Sequence, residues 1–170
     1  MEMIQLLTWF QTNYPQLKKA LQQSHHNFDE GEVNPYHIEG DCWSHTMMVC
    51  KVAQLKKYDR VVLLSALLHD IGKPQSRKID HQKNHVLFWG HEELSAKMAE
   101  PLVADLVERG MISHEEAEES IELIALHGEI YKNPDEVTSL LKNRPHVLQH
   151  LLELHECDDL GRFSLSMRAF

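Results

Sequence analysis

The sequence predicts an all-α helical bundle, and two features of the chain carry this prediction. Apolar residues recur three and four positions apart over most of the chain, which is the period of a helix with one buried face. Residues that typically begin or end helices separate these stretches, so the connections between helices are short. The chain shows no internal repeat and no low-complexity tract, which favours a single compact unit.

The first half of the chain contains predicted helices at residues 2–13, 15–23, 43–58 and 60–69. Pro15 fits the first turn of the second helix, where its missing N–H costs no hydrogen bond. The polar residues 24–42 predict a loop, and Asp41 near its end is the expected N-cap of the third helix. Residues 75–90 are polar and then briefly β-like, so they predict a loop or a small hairpin.

The second half of the chain contains predicted helices at residues 91–109, 113–131, 135–142 and 145–160. Pro101 is a candidate kink in the first of these, and Gly110 is expected to end it. Ser113 and Glu116 have the spacing of a capping box at the start of the next helix. Pro134 marks the break that follows.

The composition is that of an ordinary globular domain except for its histidines. The 170 residues, 42% of them hydrophobic, suffice for one domain with a real core. The net charge of -9 argues against a broad surface that binds nucleic acid. It is compatible with a small phosphorylated substrate that binds through a metal ion. Three cysteines without a C-x-x-C pair favour a reducing cytoplasm. We see neither a signal peptide nor a membrane span, and the 13 histidines raise the question of metal binding.

An almost wholly apolar helical run ends in the adjacent pair His69 and Asp70. Gly72 is expected to adopt the left-handed cap conformation, and Pro74 cannot continue the helix. Where the backbone bends, an imidazole nitrogen and a carboxylate oxygen can converge on one metal ion, which would also remove the cost of burying a carboxylate. The alternative is a helix end with a dipole-stabilising histidine and a solvated aspartate.

Four more polar side chains lie on apolar helical stripes, where the periodicity predicts the core. They are His45, His91, His127 and Asp158. One such histidine is most often a hydrogen-bonded core residue. Several of them facing inward beside a His-Asp pair are harder to satisfy one by one, and a shared metal centre between the helices satisfies them together.

These residues stand in four ordered motifs, at 39–46 (EGDCWSHT), 67–74 (LLHDIGKP), 90–96 (GHEELSA) and 158–162 (DDLGR). The pattern resembles the H…HD…D signature of the HD superfamily of metal-dependent phosphohydrolases. More narrowly, it is similar to the HD domain of bacterial tRNA nucleotidyltransferases and related poly(A) polymerases. The resemblance covers roughly residues 35–163, within a single HD domain predicted for 1–170. Residues 1–34 match nothing in this pattern and are expected to complete the bundle with their helices.

The resemblance implies a basic metal set and two further ligands in binuclear members. The basic set is His45, His69, Asp70 and Asp158. His91 and His127 stand in the right order to hold a second ion, with Asp70 as the bridge. Mixed imidazole and carboxylate ligation suits Mn, Fe, Co, Ni or Zn, and Mg²⁺ is also compatible. The sequence leaves open whether one ion or two are bound.

Three residues are predicted to act on the substrate. Asp70 would orient or deprotonate the nucleophilic water, or bridge two ions. Lys73 would place a positive charge near the phosphate, and Arg162 would be a second phosphate contact. For both basic residues the alternative is a favourable charge near a helix C-terminus.

The predicted function is hydrolysis of a phosphoester in a nucleotide, a 2′,3′-cyclic phosphate or an RNA end. By resemblance, related HD domains cleave 2′,3′-cyclic phosphodiesters and 2′-phosphates, which makes these the first substrates to test. The alternative is a non-catalytic HD bundle that keeps its metal for stability and serves regulation or interaction. The sequence does not indicate an oligomeric state.

Overall fold

A computed structural model describes residues 2–27, 37–83 and 85–162, and over these ranges the prediction of an all-α fold is confirmed. The helices are α1 (Met3–Asn13), α2 (Pro15–Gln23), α3 (Cys42–Lys56), α4 (Arg60–Leu68), α5 (Lys73–Ser76), α6 (His91–Glu108), α7 (His114–Leu126), α8 (Glu129–Lys132), α9 (Pro134–Leu141) and α10 (Pro145–Leu160). Strands β1 (Lys78–Asp80) and β2 (His85–Leu87) form the expected antiparallel hairpin. Part of the predicted loop at 24–42 lies outside the described residues.

Helix α4 forms the centre of the bundle. From Val61 to Leu68 every one of its residues is buried, which explains why its sequence has no polar face. It packs against α1, α3, α7 and α10, while α6 and α7 pair along their lengths. The turn that follows α4, and that carries His69 and Asp70, is therefore surrounded by other helices.

The N-terminal helices pack onto this bundle through aromatic residues. Phe10 is fully buried and its ring stacks on that of Trp43 at 5.9 Å, with the planes 9° apart. Trp9 donates a hydrogen bond of 2.7 Å from Nε1 to Asp105 Oδ2 on α6. The first helix is therefore anchored to two separate elements of the bundle.

The segment after α2 is drawn to the start of α3 by a short backbone pairing. His25 and Asp41 form an isolated antiparallel bridge. The His26 amide donates to Gly40 O at 2.8 Å, and the Cys42 amide donates to Ser24 O at 2.9 Å. These bonds place His26 beside the N-terminal end of α3.

The predicted helix at 113–131 is interrupted at His127 and Gly128, so this boundary was wrong. A Cβ on Gly128 would lie 2.0 Å from Glu92 Oε1, which means that glycine permits the close approach of α6 at this break. The capping box of Ser113 and Glu116 is confirmed. Helix α6 runs without interruption through the candidate kink at Pro101.

The expected left-handed conformation of Gly72 was also wrong. Gly72 has φ -82° and ψ -16°, in the right-handed helical region. A Cβ at this position would meet the Ser95 amide nitrogen at 2.7 Å and the His91 carbonyl oxygen at 2.9 Å. Glycine is required here for close packing against α6, not for its conformational freedom.

Candidate metal centre

All six predicted ligands meet at one place between the helices. His45 comes from α3, His69 and Asp70 from the turn after α4, His91 from the start of α6, His127 from the turn after α7, and Asp158 from the end of α10. They form two groups of three, each with its ligand atoms within 4.8 Å of one another: His45, His69 and Asp158, and Asp70, His91 and His127.

Asp70 lies between the two groups and offers one carboxylate oxygen to each. Its Oδ2 lies 3.2 Å from His69 Nε2 and 3.7 Å from His45 Nε2. Its Oδ1 lies 3.3 Å from His91 Nε2 and 3.8 Å from His127 Nε2. This is the arrangement expected of a carboxylate that bridges two sites.

Three of the four histidines are oriented by the same local device. The Nδ1 atoms of His69, His91 and His127 lie within 2.9 Å of the carbonyl oxygen three residues earlier in the chain. Because a carbonyl oxygen only accepts hydrogen bonds, each Nδ1 carries the proton and each Nε2 presents a lone pair to the site. The fourth, His45, has its Nδ1 3.2 Å from Glu39 Oε1. Such outer contacts are typical of metal-binding histidines.

The buried polar atoms at the centre fit a cation. His45 Nε2, His69 Nε2 and both carboxylate oxygens of Asp70 are buried, and none makes a hydrogen bond of normal geometry. Buried polar atoms without such partners are costly in a folded protein. A divalent metal bound between these atoms would satisfy them, and the imidazole and carboxylate set suits a transition ion.

The electrostatics of the centre keep Asp70 ionised and His127 neutral, which are the forms that bind metals. Although burial alone raises the pKa of Asp70, its interactions with His69 and with the Lys73 ammonium hold that pKa well below its usual range. Burial and the neighbouring His69 lower the pKa of His127 to about 4, so this imidazole is neutral at pH 7. Burial lowers the pKa of His45, but Asp158 and Glu39 outweigh this and raise it to about 9. A metal ion would take the place of that proton.

Two residues contact the Asp158 carboxylate oxygen that does not face His45. Tyr131 donates a hydrogen bond of 2.9 Å from its hydroxyl to Asp158 Oδ2, and Arg162 Nη2 lies 3.1 Å from the same oxygen. The other oxygen, Oδ1, is left facing His45 Nε2 at 2.9 Å. In this structure Arg162 thus orients a candidate ligand. Its predicted contact with a phosphate stays a prediction.

Lys73 lies inside the candidate site, and its predicted action on the substrate stays a prediction. Its side chain is 8% exposed, and Nζ lies 2.7 Å from Asp70 Oδ2 and 3.2 Å from His26 Nε2. Burial lowers its pKa, but Asp70 outweighs this and raises it, so the ammonium form persists.

The sequence did not predict a cluster formed by His26, His37 and Glu39, because these residues follow no helical stripe and lie in the predicted loop at 24–42. His26 is 2% exposed, and its ring stacks on His37 at 4.1 Å with the planes 7° apart. His37 Nδ1 lies 2.7 Å from Glu39 Oε1. Burial and the Lys73 charge lower the pKa of His26 to about 2, so it is neutral and its Nε2 accepts from Lys73.

The chain belongs to the HD domain family, whose model matches residues 42–155. It is 30% identical over 145 residues to the Multifunctional CCA protein of Dechloromonas aromatica. It is 28% identical over 144 residues to the proteins of the same name from Burkholderia orbicola and Burkholderia cenocepacia. These alignments cover 79% of the chain but only 33% of each relative, so the chain spans about a third of their length.

No solved structure gives a significant match to the chain. Among the described residues, no helix combines the length and the apolar character that crossing a bilayer requires. HD domains bind divalent metals and are typically metal-dependent hydrolases, which agrees with the His and Asp groups found here.

Proposed function

We propose that the protein is a metal-dependent phosphohydrolase that cleaves a phosphoester of a nucleotide, a 2′,3′-cyclic phosphate or an RNA end. The observation that carries the proposal is the position of Asp70, which offers one oxygen to each of two ligand groups at the meeting point of five elements. A purely structural metal site is closed by its own protein ligands. It needs neither a second group of candidate ligands nor an adjoining cavity.

The ligand assignment follows from the two groups. His45, His69 and Asp158 would hold one ion, and His91 and His127 a second, with Asp70 shared between them. Bound divalent ions supply a water of lowered pKa and polarise a phosphoryl oxygen. Asp70 orients or deprotonates the attacking water.

Lys73 supplies the positive charge for the phosphate. Its ammonium group lies 2.7 Å from Asp70 Oδ2 and also lines a cavity of about 430 Å³ that adjoins the centre. In a site that excludes water, a fixed ammonium stabilises charge that develops on phosphoryl oxygens.

The substrate assignment rests on the relatives and on the size of the cavity. The relatives are named as CCA proteins, which makes RNA ends and nucleotides the first class to examine. A cavity of about 430 Å³ is within the range of small-molecule sites. The net charge of -9 favours a small substrate over a long nucleic-acid contact.

We also assign residues 1–170 to one HD domain, because α1 and α2 pack onto the bundle.

The test is hydrolysis by purified protein of bis-p-nitrophenyl phosphate and then of the 2′,3′-cyclic nucleotides, in Mn²⁺, Fe²⁺, Co²⁺, Ni²⁺, Zn²⁺ and Mg²⁺ in turn. We expect metal-dependent turnover that falls about 10²-fold or more in Asp70→Asn. The same change at the exposed Asp135 on α9 is the control and should leave turnover unchanged. Metal binding without turnover of any substrate would instead support the non-catalytic alternative.

A further inference from the structure

The cavity beside the candidate metal centre is lined by charged and aromatic side chains. Lys73 and His91 line it together with the stacked rings of His26 and His37 and with Trp89. At 80%, Trp89 is the most exposed of the large hydrophobic side chains in the described part of the chain. The other exposed residues of this kind do not line this cavity.

The turn that carries Trp89 is fixed to the metal centre. The carbonyl oxygen of Phe88 accepts from the His91 amide at 3.1 Å and from His91 Nδ1 at 2.8 Å. Gly90 completes the turn with φ +73°, a conformation that favours glycine. The backbone of the turn that carries Trp89 is therefore tied to the histidine that the proposed function assigns to the second ion.

The neighbouring Phe88 anchors the same turn from the other side. Its ring packs against His26 at 5.4 Å, with the planes 66° apart, and the ammonium of Lys73 lies 5.4 Å from its centre. Phe88 thus faces inward and is partly buried, whereas Trp89 is exposed and lines the cavity. An exposed indole on an anchored turn offers a flat apolar face beside the proposed phosphate site.

Most polar side chains around the cavity are already engaged with one another. His26 bonds to Gly40 O and Lys73, His37 contacts Glu39, and Lys132 Nζ lies 2.9 Å from Glu92 Oε1. Recognition here would therefore depend on stacking more than on hydrogen bonds to the edges of a base. Stacking accepts every base, because each has a π face.

We propose that Trp89 is a stacking platform for the nucleobase next to the scissile phosphate, so that the site takes nucleoside phosphates and tolerates any base. This inference rests on the proposed function for the position of the phosphate. The nucleotide can be free or can be the 3′-terminal residue of an RNA, since both present the same base and phosphate.

The experiment compares 2′,3′-cyclic AMP with glycerol 1,2-cyclic phosphate, which has the same cyclic phosphodiester but no base. In Trp89→Ala we expect kcat/KM for the nucleotide to fall about 5- to 100-fold, with the glycerol compound unaffected. Trp89→Phe should restore most of the loss. Leu55→Ala, at an exposed residue on α3, is the control. An equal change for both substrates in Trp89→Ala, or no change for either, would overturn the inference.

A binding measurement separates this inference from the proposed function. Calorimetric titration of the metal-loaded protein with 3′-AMP and with inorganic phosphate should show weaker 3′-AMP binding in Trp89→Ala and unchanged phosphate binding. If the wild type hydrolyses neither cyclic substrate, the proposed function fails, while this titration still tests the platform. Equal 3′-AMP affinity in wild type and Trp89→Ala would refute it. An RNA that ends in a 2′,3′-cyclic phosphate, compared with the mononucleotide by kcat/KM, identifies which source the site prefers.

Discussion

At the scale of single residues, three of the candidate ligand histidines are oriented by their own local backbone. Each of His69, His91 and His127 bonds through Nδ1 to a carbonyl oxygen three residues earlier, and each stands at or next to a helix end, where the geometry allows it. This bond is local in the chain and fixes the tautomer of each ring. The free Nε2 atoms then need only the packing of the helices to bring them together.

The role of Lys73 can be tested separately from metal binding. Lys73→Met removes the ammonium group and keeps most of the buried side-chain volume. We expect turnover to fall about 10²-fold, because one electrostatic contact to the developing charge is lost, while the metal content stays unchanged. Steady-state kinetics and elemental analysis of the same preparation measure both. Lys51→Met, at an exposed position on α3, is the matched control.

Unchanged kinetics in Lys73→Met would show that this lysine serves only as a charge near the end of α4. A loss of metal together with activity would show that it acts through Asp70, whose Oδ2 lies 2.7 Å from its Nζ.

At the scale of helices and turns, two glycines set the distance between the elements that carry the ligands. Gly72 lies against the backbone of α6, and Gly128 lies against the carboxylate of Glu92. A methyl group at position 72 would meet backbone atoms, which cannot move unless α6 moves. A methyl group at position 128 would meet the Glu92 side chain, which can rotate.

This difference predicts unequal effects of the same substitution. In Gly72→Ala the new methyl would lie 2.7 Å from the Ser95 nitrogen, so α6 must shift, and we expect the free energy of unfolding to fall by about 1–3 kcal/mol. Gly128→Ala displaces Glu92 and its contact with Lys132, which is a partly exposed pair of small value. Urea unfolding of both variants measures this, and an equal loss in the two would contradict it.

The sequence predicted the bounds of most helices to within a few residues. It missed features that depend on the close approach of segments that are distant in the chain. Helix periodicity and caps such as Ser113 are local, so α1, α2, α9 and α10 begin and end close to their predicted bounds. The break at Gly128 depends on Glu92, which is 36 positions away and enters no local pattern. The left-handed expectation for Gly72 was wrong for the same reason.

The candidate site shows the same difference between features set by local sequence and features set by distant contacts. The sequence could place the six candidate ligands in one group because each follows an apolar stripe and the motifs of the family connect them. It could not place His26 and Tyr131 there, since His26 reaches Lys73 only through a backbone pairing with the start of α3, and Tyr131 reaches Asp158 from the short helix α8.

At the scale of the whole molecule, the proposed metal centre is where otherwise separate helices meet. Its ligands come from α3, the turn after α4, α6, the turn after α7 and α10. A ligand that binds only the folded state stabilises it in proportion to its affinity and concentration, so metal bound here stabilises the entire bundle.

Metal stoichiometry and thermal stability together test whether two ions are bound. We expect close to two ions per chain in the wild type and close to one in His91→Ala and in His127→Ala. Chelation of the wild type should lower Tm by about 10–20 °C, because each bound ion adds roughly 2.7 kcal/mol at one hundred times its Kd, two ions add about twice that, and each kcal/mol shifts Tm by about 2–4 °C. Elemental analysis and calorimetry measure the two quantities, with the exposed His114→Ala on α7 as the control.

The two histidine variants also separate a second ion from a substrate contact. If His91 and His127 only line the cavity, both variants keep the full wild-type metal content and the same loss of Tm on chelation, although their activity falls. If they hold an ion, the chelation effect shrinks in both variants by a similar amount, because Asp70 Oδ1 faces both Nε2 atoms and either loss opens the same group. One ion per chain in the wild type, retained in both variants, would exclude the second site.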